Sequence, residues 1–205
     1  MSANNTLIIG LTGGIGSGKT VVANYLVSLG AVHADADAIS RGLTAPGGAA
    51  LPAIREQFGD EVFCEDGTLN RRALGDVVFA DTRARHALEA IIHPQVQHAV
   101  IECIDHARSE GADAVLLDVP LLFETGMDAL CDVTWVITAD QETRVQRVLA
   151  RDNLSREQVE SRIASQMSDE ERCSRATHVI RNEQSVEKLK SEVAALYQQL
   201  LKSAR

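Results

Sequence analysis

Residues 13–20 read GGIGSGKT and match the phosphate-binding pattern G-x-x-x-x-G-K-[ST]. Each residue type suits that chemistry. Glycine backbones bend where side chains would clash, so successive N–H groups can turn inward onto phosphate oxygens. The helix predicted to begin near Lys19 adds the positive end of its dipole. Gly13, Gly14, Ile15, Gly16, Ser17 and Gly18 form the cradle, Lys19 would reach the β- and γ-phosphates, and the Thr20 hydroxyl would coordinate Mg²⁺. An apolar strand precedes the pattern, and Val21, Val22, Leu26 and Leu29 continue it as a helix. The expected ligand is a nucleoside triphosphate.

What the phosphate serves depends on residues farther along. A GTPase switch needs D-x-x-G after a strand and N-K-x-D for guanine, and a transporter-type ATPase needs an LSGGQ-like signature; none of these strings occurs. Small-molecule kinases remain, and they require an acceptor-site carboxylate, an arginine clamp and a lid. The carboxylates are Asp35 and Asp37 in HADADAISR, expected just after a short second strand at 31–32. Residues two apart on extended chain share a side, so both can face an acceptor at the carboxyl edge of the sheet. Asp37 could equally cap the following helix, and Asp35 could hold a Mg²⁺-bound water. Arg144, Arg147 and Arg151 stand at steps of three and four, on one helix face. Arginine binds phosphate through a planar fork that lysine cannot copy; the alternative is a solvated basic face near a helix C-terminus. Asp118, in DVPLLFE, has the position of a Walker-B-type acid holding a Mg²⁺-bound water, or of a cap on the next helix. His93 precedes Pro94 in AIIHPQV, where proline should kink or break the helix; the histidine is either structural or a ligand contact.

The elements that must position these residues follow from hydrophobic period. Residues 7–11, 114–117 and 133–137 read as buried strands, with a weaker one at 177–180. Helical spacing lies between them. Asp140 can cap the helix after the strand at 133–137, and Ser155 with Gln158, and Ser168 with Glu171, have capping-box spacing. A final helix carries Val186, Leu189, Val193, Leu196 and Leu200 in one stripe. Strands alternating with helices imply a parallel sheet and an α/β fold. From about 42 to 108 no buried strand is convincing, and Leu88, Ile92, Val96, Val100 and Ile104 predict one long helix in a helical lobe inserted between the second and third strands.

Composition sets the outer bounds. The chain has 205 residues, which fits one domain with an inserted lobe. Twenty basic against 29 acidic residues give a net charge of −9, which argues against a nucleic-acid partner but not against an anionic small substrate met by clustered arginines. Cys64, Cys103, Cys131 and Cys173 form no CxxC pair and read as buried free thiols of a reducing compartment. The opening MSANNTLIIG lacks a basic leader region, and no apolar run approaches the ~18 residues that span a bilayer, so a cytoplasmic protein is expected, without a membrane partner.

The ordered strings LTGGIGSGKT, DADAISR, the PGG loop, DGTLNRRALGDVVFAD, IIHPQV, DVPLLFE and ETRVQRVLARD running into LSREQVESRIASQM resemble the dephospho-coenzyme A kinase family over nearly the whole chain. The resemblance implies a P-loop nucleotide-kinase-like parallel sheet flanked by helices, a coenzyme A-binding helical lobe at 45–108 and a helical lid at 151–172, within a single P-loop kinase domain, 1–205. It implies transfer of the ATP γ-phosphoryl group, with Mg²⁺, to the ribose 3′-hydroxyl of dephospho-coenzyme A, the last step of coenzyme A synthesis. Residue by residue, it makes Asp37 the general base, Arg147 the phosphate-contacting arginine beside Lys19, and Arg151 an ATP contact at the lid base. It turns Arg41, Arg72 and His93 toward the substrate. Where many members read IDNNG near the adenine, residues 180–184 here read IRNEQ, so Asn182 keeps one amide of that site. The rival expectations are a P-loop kinase for another small alcohol or nucleoside monophosphate, and a regulator that binds ATP without transferring phosphate.

Overall fold

The computed structural model describes residues 6–204; the first five residues of the stretch read for a leader lie outside them. The sheet forms where the apolar runs stand. Its strands are β1 Leu7–Thr12, β2 Val32–Asp35, β3 Ala114–Asp118, β4 Val133–Thr138 and β5 His178–Arg181. All pair in parallel, in the order β2-β3-β1-β4-β5. Every residue of β1 and β3 is buried, as strands covered by helices on both faces must be. The helices are α1 Lys19–Ser28, α2 Ala36–Leu43, α3 Leu51–Phe58, α4 Arg71–Ala80, α5 Thr82–Ser109, α6 Gln141–Arg151, α7 Arg156–Ala164, α8 Asp169–Arg175 and α9 Val186–Ala204. Among the described residues, no helix is long and apolar enough to cross a membrane.

The chain divides into two compact units. The first, residues 1–35 and 104–205, holds the whole sheet. Its core runs through Ile9, Leu11, Val22, Leu26, Leu116, Trp135, Ile137, Ile180 and Val193. The second, residues 36–103, is helical and has its own core of Ala50, Ile54, Val62 and Leu74, bordered by half-buried Phe58, Leu88, Ile91 and Ile92.

Several expectations are corrected. The second strand is longer than the pair 31–32: it runs over Val32–Asp35, and Asp35, expected just after it, is its last residue. The strand passes directly into α2, so Asp37 lies inside the helix's first turn and is not its cap. Pro94 neither ends nor divides α5, which runs for 28 residues. A proline removes only its own N–H bond to the carbonyl four residues back, and neighbouring turns hold the rest. In α9 the stripe is completed by fully buried Tyr197, while Val186, at the first turn, is exposed. Ser155 and Gln158 form the full capping box, whereas Ser168 supplies only the first half, accepting from Glu171 N–H at 3.1 Å. The four thiols are free but not buried: Cys64 is exposed and the others are half-buried.

Candidate active site

The 13–18 loop joins the carboxyl end of β1 to the first turn of α1. Glycine is required there by close approach and by backbone angle. A Cβ on Gly13 would stand 2.6 Å from the Ile137 carbonyl oxygen. Gly18, at φ +93°, occupies the left-handed region and lies against Asn182 Nδ2. Gly18 is also the N-cap of α1, and no side chain caps that helix end. Val21 N–H turns back to Gly18 O at 3.0 Å, and the helix opening, with no side chain over it and the positive end of its dipole there, suits an anion.

Lys19 and Thr20 open α1 at the carboxyl edge of the sheet. Lys19 Nζ pairs with Asp118 Oδ1, and Asp118 Oδ2 lies 3.4 Å from His33 Nε2. Asp118 thus faces the loop lysine and does not cap a helix. Asp35 is its register partner on the neighbouring strand, so two carboxylates end adjacent parallel strands. No motif or spacing singles out His33, which β2 carries two residues before Asp35.

The donor set has the character a Mg²⁺ ion needs. Thr20, Asp35 and Asp118 offer oxygen ligands near one edge, and the described residues contain no cluster of His, Cys, Asp and Glu that would cage an ion alone. Magnesium is typically held by one or two carboxylates together with phosphate and water oxygens. These residues fit that role.

The remaining nucleotide candidates lie behind the loop. Arg147 Nη2 donates to Asn182 O at 2.9 Å, and its Nη1 lies 3.4 and 3.5 Å from Gly16 O and Ser17 O. Buried Asn182 donates from Nδ2 to Ser17 O at 2.9 Å, and its N–H bonds Thr138 O at 2.7 Å. Arg147 and Asn182 therefore hold loop carbonyls. Arg151 ends α6, largely exposed, in a two-bond fork with Asp152. That fork raises the Arg151 pKa and lowers that of Asp152. Of the expected arginine trio, Arg144 is 2% exposed, folded under the loop.

The second unit carries the other candidates. Asp37 is exposed in the first turn of α2 and Arg41 sits in its last turn, where Arg71 reaches the Arg41 and Thr44 carbonyls at 3.4 and 3.3 Å. Arg72 is exposed in the first turn of α4, whose cap is the Asn70 side chain. His93 is exposed on α5 and is no core histidine. Cys131 offers no nucleophile: burial, with Asp128 and Asp132 nearby, pushes its thiol to about 12.

Against known proteins, the family model for dephospho-CoA kinase matches residues 7–188. A dephospho-CoA kinase of Symbiobacterium thermophilum is 46% identical over 93% of this chain and 80% of its own. One from Pseudoalteromonas translucida is 40% identical over 98% and 94%. Among solved structures, TT1252 from Thermus thermophilus superposes with a TM-score of 0.82 at 38% identity, covering 96% of this chain and 98% of its own. Dephospho-CoA kinase from Campylobacter jejuni does so with a TM-score of 0.74 at 26% identity, covering 97% and 98%. With the strand–loop–helix cradle and its lysine in place, the chain belongs to the dephospho-CoA kinase family.

Proposed function

We propose that this protein transfers the γ-phosphoryl group of ATP to the ribose 3′-hydroxyl of dephospho-coenzyme A, giving coenzyme A and ADP. The observation that carries the reading is a glycine cradle with an uncapped helix end and Lys19 beside it, in a chain matched by the family model over residues 7–188. The bond between the γ-phosphorus and the β–γ bridging oxygen breaks, and a bond from the 3′-oxygen to that phosphorus forms. Asp37 accepts the hydroxyl proton. Lys19 exchanges its partner Asp118 for the β- and γ-phosphate oxygens, and Arg147, fixed beneath the loop, adds positive charge there. When bound, Mg²⁺ neutralises charge on the β- and γ-phosphates, with Thr20, Asp35 and Asp118 to hold it or its waters. Loop residues 13–20, Arg151 and Asn182 serve ATP, and Arg41, Arg72 and His93 serve the acceptor.

The helical unit, read as 45–108, binds the coenzyme A moiety, and 151–172 is the lid within a single kinase domain. The protein works in the cytoplasm, without nucleic-acid or membrane partners; the −9 charge and the unpaired thiols support this. The test is ADP release with Mg²⁺-ATP across dephospho-coenzyme A, adenosine and AMP. Dephospho-coenzyme A should be turned over far faster than the others. Comparable rates on AMP would promote a nucleoside-monophosphate kinase instead.

A further inference from the structure

Ile15, in the middle of the phosphate loop, has both backbone polar groups bound from behind. Its N–H donates to Gln166 Oε1 at 3.0 Å, and its carbonyl accepts from Arg144 Nε at 2.9 Å. Gln166 lies in the connection between α7 and α8. Arg144 also pairs with Asp169 in the first turn of α8. Asp169 in turn receives Arg172 Nη1 at 2.7 Å, and Arg172 Nη2 donates to Met167 O at 2.8 Å. Both arginines are 2% exposed. Two buried guanidinium groups share one half-exposed carboxylate, so the network carries net positive charge under a loop built for polyphosphate. Guanidinium burial is costly unless the charge is paired, and Asp169 with the Ile15 and Met167 carbonyls supplies the partners.

We propose that Gln166 and Arg144 are positioning residues for the nucleotide. They fix the Ile15 peptide so that the loop N–H groups are aimed at phosphate before ATP arrives, and they tie the α7–α8 connection to the loop. Neither touches the phosphoryl group in this role. The loop's cost of ordering is met in the free protein, which is what preorganisation contributes to affinity. The inference rests on the kinase reading above and deepens it.

The test uses the full chain with Gln166→Leu, which removes the acceptor of the Ile15 N–H at similar size. Mg²⁺-ATP binding is measured by calorimetry without acceptor, alongside the KM of each substrate and the thermal midpoint. The Kd and KM for ATP should rise about tenfold, as for a buried donor left unpaired, while the KM for dephospho-coenzyme A stays put. Gln166→Glu returns an oxygen to the same place and should bring ATP affinity back to within about threefold. Unchanged ATP affinity in Gln166→Leu, an equal rise in both KM values, or no recovery in Gln166→Glu would each overturn the inference. A native chain that bound no Mg²⁺-ATP would overturn the kinase reading, and this inference with it.

Discussion

Asp35 and Asp37 stand two residues apart, yet they belong to different elements, one ending β2 and the other inside α2. That difference separates their proposed work. Asp35 ends its strand beside Asp118, where a metal-bound water would be held, while Asp37 is exposed and available to a hydroxyl. Asp37→Asn keeps the shape and removes the proton acceptor, so kcat should fall by about 10²–10⁴ with ATP binding retained. Asp35→Asn should instead raise the Mg²⁺ requirement and recover partly in excess metal. Titrating Mg²⁺ against kcat for both variants decides it: rescue of Asp37→Asn alone would exchange the two roles. At Arg147, replacement by Lys keeps the charge but loses the fork that reaches Asn182 O and the loop carbonyls. Both kcat and the thermal midpoint should fall, and a loss of kcat with an unmoved midpoint would mean that the lysine still holds the loop. The loop and its lysine were legible because their spacing is local. Gln166 was not, because its bond to Ile15 spans 151 positions and leaves no pattern in the sequence. Arg144 was visible by spacing, but spacing cannot tell a guanidinium that turns under a loop from one that faces phosphate.

Helices α6 and α7 are joined by more than the turn between them. Val145 and Val148 of α6 pack with Val159 of α7, and Ile15 of the loop lies against that cluster. At the surface, Glu142 pairs with Arg156, which with help from Gln146 holds the Glu142 carboxyl at about 2 against a usual 4.5. A carboxylate with its pKa depressed on folding contributes stability that is present above its unfolded pKa and lost as pH falls toward the folded one. The window is therefore from about 4.5 down to about 2. Because the pair is exposed, its contribution is small. The thermal midpoint of Glu142→Gln should lie slightly below the native one at pH 7, and the gap should narrow near pH 3; a gap constant with pH would remove the pair from the account. The same helices make the proposed lid testable. With a non-hydrolysable ATP analogue, hydrogen exchange across 151–172 should slow in the native chain, and Gln166→Leu should lose much of that protection. Protection confined to 13–20 would refute closure. Element types followed from period and caps: Asp140 and Ser155 each bond the expected N–H. What period could not give was the passage of α5 through Pro94, or the burial of Tyr197 in place of Val186. The hydrogen bonds of neighbouring turns carry α5 past Pro94, and packing into the sheet core decides the burial of Tyr197.

Alternating strands and helices disclose a parallel sheet, but not the order in which its strands lie side by side. The order β2-β3-β1-β4-β5 puts β1, the strand that feeds the phosphate loop, in the centre, with β3 and its Asp118 next to it. That order rests on packing between segments a hundred residues apart, such as Leu11 opposite Asp118, so no local window contains it. The division into two units is a second property of the whole chain, and it separates two kinds of binding in the proposed function. The nucleotide residues 13–20, Arg147 and Asn182 lie in the sheet unit, whereas Asp37, Arg41, Arg72 and His93 lie in the helical unit. The helical unit rests on a small core in which Ile54 is fully buried. Ile54→Ala should cost about 2–5 kcal/mol, as cavity-forming truncations do, and few neighbours are present to absorb it. The acceptor KM should rise or turnover fail, while calorimetry finds Mg²⁺-ATP binding unchanged to within about twofold, since no nucleotide residue belongs to that core. Leu26→Ala is the matched control: an equally buried aliphatic residue on α1, packed in the sheet core behind the loop. There, ATP affinity should fall. If Ile54→Ala weakened ATP binding and acceptor use together, the two units would not divide the substrates between them, and the assignment of the helical unit to coenzyme A would lose its physical basis.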